Sequence, residues 1–315
     1  MRRIDRTCLA DMRSPVRHLM AESLAHSIFN VAPERGEEFN TALDDFDLVY
    51  VAQRAWKFCA DPERREITVS RGAVELVWCM SLAHFAFYSR LIAGKKFDHP
   101  VEIDPQSDPS VRDSLRLLRW AIECQLKGDE SDDWLAGCPQ PRPSSLMESN
   151  EAVADELSLV TCAYLLHHEL AHIRLRHSAA VDDCLSRSQE KDADIEAAQW
   201  VLDGIDPQGP VFKKRALGIV QGFLLGTVMG LYRNDFGGTR HPYSYDRLAS
   251  FLHRVLSGAD HVAWAFAFAV LDLHFNNSGR MLPKQDFADS REALEAICDQ
   301  LAEETRRRES AGRIP

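Results

Sequence analysis

The sequence predicts a mainly α-helical fold with a few short strands, and three observations carry that reading. Apolar segments with helix-like spacing recur along the 315 residues. Strand candidates are short and confined to "EITVS" (66–70) and "PVEI" (100–103). Helix start and stop signals bracket the apolar segments of the second half.

In chain order, "SIFNVAPERGEEFNTALDDFDLVYVAQRAWKFC" (27–59) and "GAVELVWCMSLAHFAFYSRLIAG" (72–94) read as helical. The stretch "GCPQPRPSSLMESN" (137–150) concentrates three prolines and three serines and breaks the pattern. It divides an N-terminal helical region, 1–145, suited to sensing or substrate docking, from a catalytic region, 146–315. It reads equally as a long surface loop inside one domain. After the break, Ser149 or Asn150 can cap a helix that runs to about His177, with Glu151 and Asp155 favourable in its first turns. A second helix starts at Ser186, where Ser186 and Gln189 make a capping box, and ends near Gly204 with Pro207 just beyond. The apolar segments 216–232 and 261–275 and the charged tail 291–310 complete the helical set.

Composition bounds the function. The net charge of -11 argues against a general nucleic-acid or anionic-membrane binder; the arginines at 2, 3, 6, 13 and 17 are a local exception. No apolar run follows them, so no secretory signal is expected. The eight cysteines are scattered, without a CxxC pair, which suits a reducing, cytoplasmic setting better than a disulfide framework. Gly218, Gly222, Gly226 and Gly230 form a stripe at four-residue spacing that invites close helix packing, with the histidine-rich segment 164–177 as a candidate partner. Such stripes also occur in membrane helices. About 16 apolar-leaning residues interrupted by Gln221 fall short of the ~20 that a span needs, and a mean hydropathy of -0.28 favours a buried helix over a membrane one.

The chemistry concentrates in "YLLHHELAHIRLRH" (164–177). His168, Glu169 and His172 spell H-E-x-x-H. On a helix, residues four apart share a face, so both imidazoles can reach one ion, while Glu169 leans over an open coordination position as a general base. The third ligand comes from "SRSQEKDADIEAAQWVL" (186–202), where Glu190 and Asp194 continue onto the apolar face of Ala193, Ala197, Ala198 and Val201. Two carboxylates on a buried face cost several kcal/mol unless paired or bound to metal. Glu190 as ligand and Asp194 as hydrogen-bond partner to a ligand histidine remove both costs; the bland reading is a pair on the helix rim. His167 points about 100° from the ligand pair, toward the site's periphery or the surface, and His177 suits a helix C-terminus as a cation. His84, His253, His261 and His274 read as core or rim residues.

Together, "HELAHIRLRHSA", "SRSQEKDAD" and "HPYSYDR" resemble the gluzincin zinc peptidases, in particular the CAAX-prenyl-protease/HtpX-like family and the Lit-type phage-exclusion peptidases. The likeness covers about residues 160–250. It implies a zincin-like core holding one Zn2+ per chain on His168, His172 and Glu190, with Glu169 as catalytic base and Asp194 in support. It also implies that His241 and Arg247 hold substrate and the tetrahedral intermediate, although Tyr243 stands where relatives commonly carry proline. In such cores an edge strand precedes the active-site helix and binds substrate by strand addition.

The expectation is thus an intracellular zinc endopeptidase acting on a specific protein or peptide substrate. By the Lit-type resemblance it would be a latent phage-defence protease, with a translation factor as substrate and an activating partner as trigger. Nucleic acid is not expected as a partner, and membrane association is disfavoured. Two other readings stand beside this one: a membrane-associated processing or quality-control peptidase, and a non-catalytic protein in which zinc staples two helices.

Overall fold

The computed structural model describes residues 3–5, 13–24, 27, 31–35, 46–95, 107–128, 131, 133–142, 149–178, 181–256, 261–282 and 286–312. Helices dominate, with one four-stranded sheet in the order β1-β2-β4-β3. The strands are β1 (Arg3–Asp5), β2 (Asp47–Val51), β3 (Phe58–Asp61) and β4 (Glu66–Ser70). β1 and β4 each run parallel to β2, whereas β3 runs antiparallel to β4 and forms an edge. The fold class is the one the sequence predicts.

Two strands correct the helical reading of 27–59. In β2, "DLVYV" alternates, with Leu48 and Tyr50 buried and their neighbours half-exposed. That period of two is lost when the segment is averaged with the apolar residues around it. β3 owes its place to pairing with β4 and to a tight connection. There the Asp61 carboxylate accepts hydrogen bonds from the backbone N–H groups of Glu63 and Arg64, and Arg65 takes a positive φ of 56°. The predicted strand 66–70 is β4; the candidate at 100–103 lies outside the described residues.

The chain divides into two compact units, one of Met1–Ala180 with Asp192–Ile219 and one of Val181–Lys191 with Val220–Pro315. In the first, β4 runs straight into α1 (Arg71–Lys95), whose N-terminus is held by the Ser70 hydroxyl accepting from Ala73 N–H. Gly72 is required at this junction, because a Cβ there would lie 1.7 Å from the Arg54 carbonyl oxygen. α1 packs against α2 (Pro109–Lys127) and α3 (Asn150–Arg174), and the Trp78 indole N–H donates to Asp155 on α3 at 2.6 Å. α2 is stopped by Asp108 at its start and by Gly128, at φ 66°, at its end. Beneath α1, Glu75 accepts from Arg54 at 2.9 Å and from the Ser14 hydroxyl at 2.7 Å, and both Arg54 and Glu75 are buried.

Helix α4 (Asp183–Leu202) starts earlier than the capping box at Ser186 implies. The Asp182 carboxylate takes the capping role, accepting from Leu185 N–H at 2.8 Å, so that Ser186 falls inside the first turn. Helix α5 (Pro210–Arg233) carries the glycine stripe, and each glycine for which a neighbour is found meets a different one. A Cβ on Gly218 would meet Val160 of α3, one on Gly226 would meet Ser244, and one on Gly230 would meet Phe236. Only Gly218 serves the expected packing on the histidine-rich helix. α5 is long and apolar enough to cross a membrane by length and composition, and 83% of its most apolar window is buried within the protein. In the second unit, α8 (Ser290–Ser310) packs on α6 (Ser244–Val255) and α7 (Val262–Asn277).

Candidate metal centre

Helix α3 begins where Ser149 caps it, its hydroxyl accepting from Ala152 N–H at 3.1 Å. From there the helical repeat stacks Tyr164, His168 and His172 on one face. The Nε2 atoms of His168 and His172 stand 3.2 Å apart. In a tetrahedral site with metal–nitrogen bonds of about 2.0–2.1 Å, two imidazole nitrogens lie roughly 3.3 Å from each other. The pair therefore has the spacing of two ligands to one ion.

The outer nitrogens of both rings are also engaged. His168 Nδ1 lies 3.0 Å from Asp194 Oδ1, and the same oxygen accepts from the Tyr164 hydroxyl at 2.9 Å. Tyr164, one turn before His168, thus fixes the carboxylate that faces the ring. His172 Nδ1 lies 2.9 Å from His177 Nδ1.

Because α4 is one unbroken helix, Glu190 sits one turn before Asp194 on it. One ligand atom each from His168, His172 and Glu190 can be chosen so that all lie within 4.8 Å of one another. Two imidazoles and a carboxylate are a donor set for zinc with a coordination position left open. The Glu190 side chain is about nine-tenths buried, so its charge needs such a partner or a counter-ion. His241 Nδ1 stands 3.2 Å from Glu190 Oε1, and Arg247 Nη1 stands 3.6 Å from Oε2. His241 reaches in from an exposed turn, closed by Gly238 N–H donating to the His241 carbonyl at 2.8 Å, while Arg247 is largely covered on α6.

Glu169, one residue round the helix from His168, meets the sheet. Its Oε2 accepts from the Ala60 backbone N–H at 2.6 Å. Ala60 belongs to the edge strand β3, and its N–H points away from β4. An edge strand thus precedes and flanks the motif helix, as the gluzincin resemblance implies. The Cys59 thiol is pushed up by burial and by the nearby Glu169 charge.

His167 faces the other way and is a packing residue, neither peripheral to the site nor on the surface. It is buried and stacked on Trp200 with ring planes 14° apart. Burial, followed by the charges of Arg174 and Arg35, lowers it to about 3 and keeps it neutral. His84 and His274 lie in the core, and His261 caps α7 by accepting from Ala263 N–H.

The sequence reading missed three groups around the site. Tyr164 had a signal in its spacing, four residues before His168. His177 had one in its chemistry. Ala60 had none, since a backbone N–H contributed by a strand 109 positions away leaves no mark in the motif.

The family model for Peptidase U49 matches residues 67–267, a span that contains Tyr164, His168, Glu169, His172, His177, Glu190, Asp194, His241 and Arg247 and begins just after β3. The chain is also 28% identical over 246 residues to a protein called "Cell death peptidase" from Escherichia coli (strain K12), covering 76% of this chain and 81% of that one. No solved structure matches. The motif helix, its flanking strand and the matched span lead to one conclusion: this chain belongs to the Peptidase U49 family and is a peptidase.

Proposed function

We propose that this peptidase is a zinc-dependent endopeptidase that cuts a specific protein substrate. The observation that carries the reading is the convergence of His168, His172 and Glu190 with the histidine Nε2 atoms 3.2 Å apart. Zinc bound there would lower the pKa of a water and polarise the scissile carbonyl. Glu169 takes the proton from the attacking water and returns it to the leaving amine, which a carboxylate adjacent to the ligand pair is positioned to do. Asp194 and Tyr164 orient His168. Arg247 supplies positive charge and His241 a ring nitrogen beside Glu190, where an oxyanion developing on the carbonyl needs donors. An extended substrate segment would lie along the outer side of β3, next to Ala60, whose N–H Glu169 holds.

Narrow specificity follows from the hazard that a free intracellular protease poses. The relative's name, Cell death peptidase, fits a latent enzyme whose target is a host protein. We extend this to a phage-defence role with a translation factor as substrate and an infection-specific activator, and we place the enzyme in the cytoplasm. Among the described residues the cysteines form no disulfide with one another, which supports a reducing compartment.

The test is Glu169→Gln. Neo-N-termini generated in a host extract should disappear with the variant, turnover falling by about 10²- to 10⁴-fold, while metal content stays at the wild-type level. Unchanged cleavage would remove Glu169 as the base and the mechanism with it.

A further inference from the structure

We infer that His177 is a positioning residue that holds the ligand His172 through its Nδ1. The inference rests on the metal reading above and concerns how the ligand set is built. Helix α3 ends in a Schellman turn, with Leu175 as its C-cap. The His177 N–H donates to the His172 carbonyl at 2.9 Å, and the Arg176 N–H donates to the Ile173 carbonyl at 3.2 Å. These are the two bonds that define the motif. The residue between them, Arg176, is left-handed at φ 55°, a conformation usually left to glycine.

This turn has a fixed consequence for side chains. It brings the second residue past the cap back onto the third residue before it, a contact that is usually apolar. Here those two positions are His177 and His172. Their rings meet edge-on, with centroids 4.9 Å apart and planes at 73°. The polar contact is Nδ1 to Nδ1 at 2.9 Å, on the side of the His172 ring away from the Nε2 that faces His168. His177 therefore stands behind the ligand, outside the donor set.

The proton count then fixes the roles. A metal takes the lone pair of His172 Nε2, so the ring proton sits on Nδ1 and must be donated outward. His177 Nδ1 is the acceptor at that point, and its own proton is on Nε2. Each ligand histidine thus has a polar atom facing its Nδ1, Asp194 Oδ1 at 3.0 Å for His168 and His177 Nδ1 at 2.9 Å for His172.

The experiment measures zinc affinity of the full chain by competition with a chromophoric chelator, for the wild type, His177→Ala, His177→Phe and His177→Asn. Phenylalanine keeps the ring contact without an acceptor, whereas asparagine places an amide oxygen close to where Nδ1 was. The expected result is affinity about 10- to 100-fold weaker for Ala and Phe, restored to within a few-fold by Asn, with the melting temperature of the metal-free protein unchanged between Phe and wild type. Wild-type affinity in His177→Phe, or equal weakening in Asn and Phe, would overturn the positioning role and leave the metal site standing. A wild type that binds no zinc would overturn the metal reading itself, and this inference with it.

Discussion

Replacing Gly218 by alanine should destabilise the protein even though alanine is the better helix former. The added Cβ would lie 2.3 Å from Val160 Cγ1 and 2.5 Å from Val160 Cβ. Carbon pairs rest at about 3.5–4.0 Å, so α5 and α3 must part by more than about 1 Å at this crossing. Shortening Val160 does not make room, because its Cβ is itself one of the close atoms. Overpacking of this kind costs about 1–3 kcal/mol. The Thr161 hydroxyl donates to the Gly218 carbonyl at 3.0 Å and also to Leu157, so stretching the first bond adds a cost at the low end of about 0.5–1.5 kcal/mol. Against these stands a gain of about 1 kcal/mol in helix propensity. The net expectation is a loss of about 0.5–2.5 kcal/mol. Gly226→Ala on the same helix is the control. Its Cβ would meet only Ser244 Cβ, at 3.2 Å, so the propensity gain is nearly offset and the change is close to neutral. Urea denaturation of both variants measures the contrast. Equal stability of Gly218→Ala and Gly226→Ala would refute the close crossing of α5 on the motif helix.

Two other outcomes follow from buried and half-buried charge. Glu75→Ala withdraws a carboxylate from between Arg54 and Arg71, both about 1% exposed, and should cost about 3–5 kcal/mol in denaturation midpoint analysis; a loss below 1 kcal/mol would contradict it. In the second unit, paired hydrogen bonds from Arg280 at 2.7 and 2.8 Å lower the Glu304 pKa below its ordinary value of 4.5, working against partial burial. The unfolded carboxyl therefore takes up its proton first as pH falls. The stability that Glu304 adds over Glu304→Gln should be full above about pH 4.5 and shrink as pH drops through the lowered folded value; a gap of the same size at pH 7 and pH 3 would refute this.

The cluster that could hold a metal was legible in the sequence because helix periodicity turns spacing into geometry. His168 and His172 share a face by count alone, and Glu190 and Asp194 share another. The identity of the carboxylate that faces His168 followed from the cost of burying it. What was not legible depended on contacts distant in sequence. The strands β2 and β3 were hidden in a run read as helical, and with them the edge that meets Glu169. The glycine stripe suggested one packing partner, yet Gly218, Gly226 and Gly230 meet three different neighbours. The cap of α4 went to Asp182 over a well-formed capping box at Ser186, because an aspartate one turn earlier accepts from Leu185 N–H and leaves Ser186 inside the helix. The contact of His177 with His172 was not legible because the C-terminal turn depends on a left-handed arginine, which sequence patterns do not flag.

The central claim is that His168, His172 and Glu190 hold one zinc ion at an open site. Metal content per chain, determined by elemental mass spectrometry on the wild type and on Glu190→Ala, tests it most directly. The account predicts about one zinc in the wild type, lost or strongly reduced in the variant. Absence of zinc from the wild type after reconstitution, or full retention of it by Glu190→Ala, would contradict it.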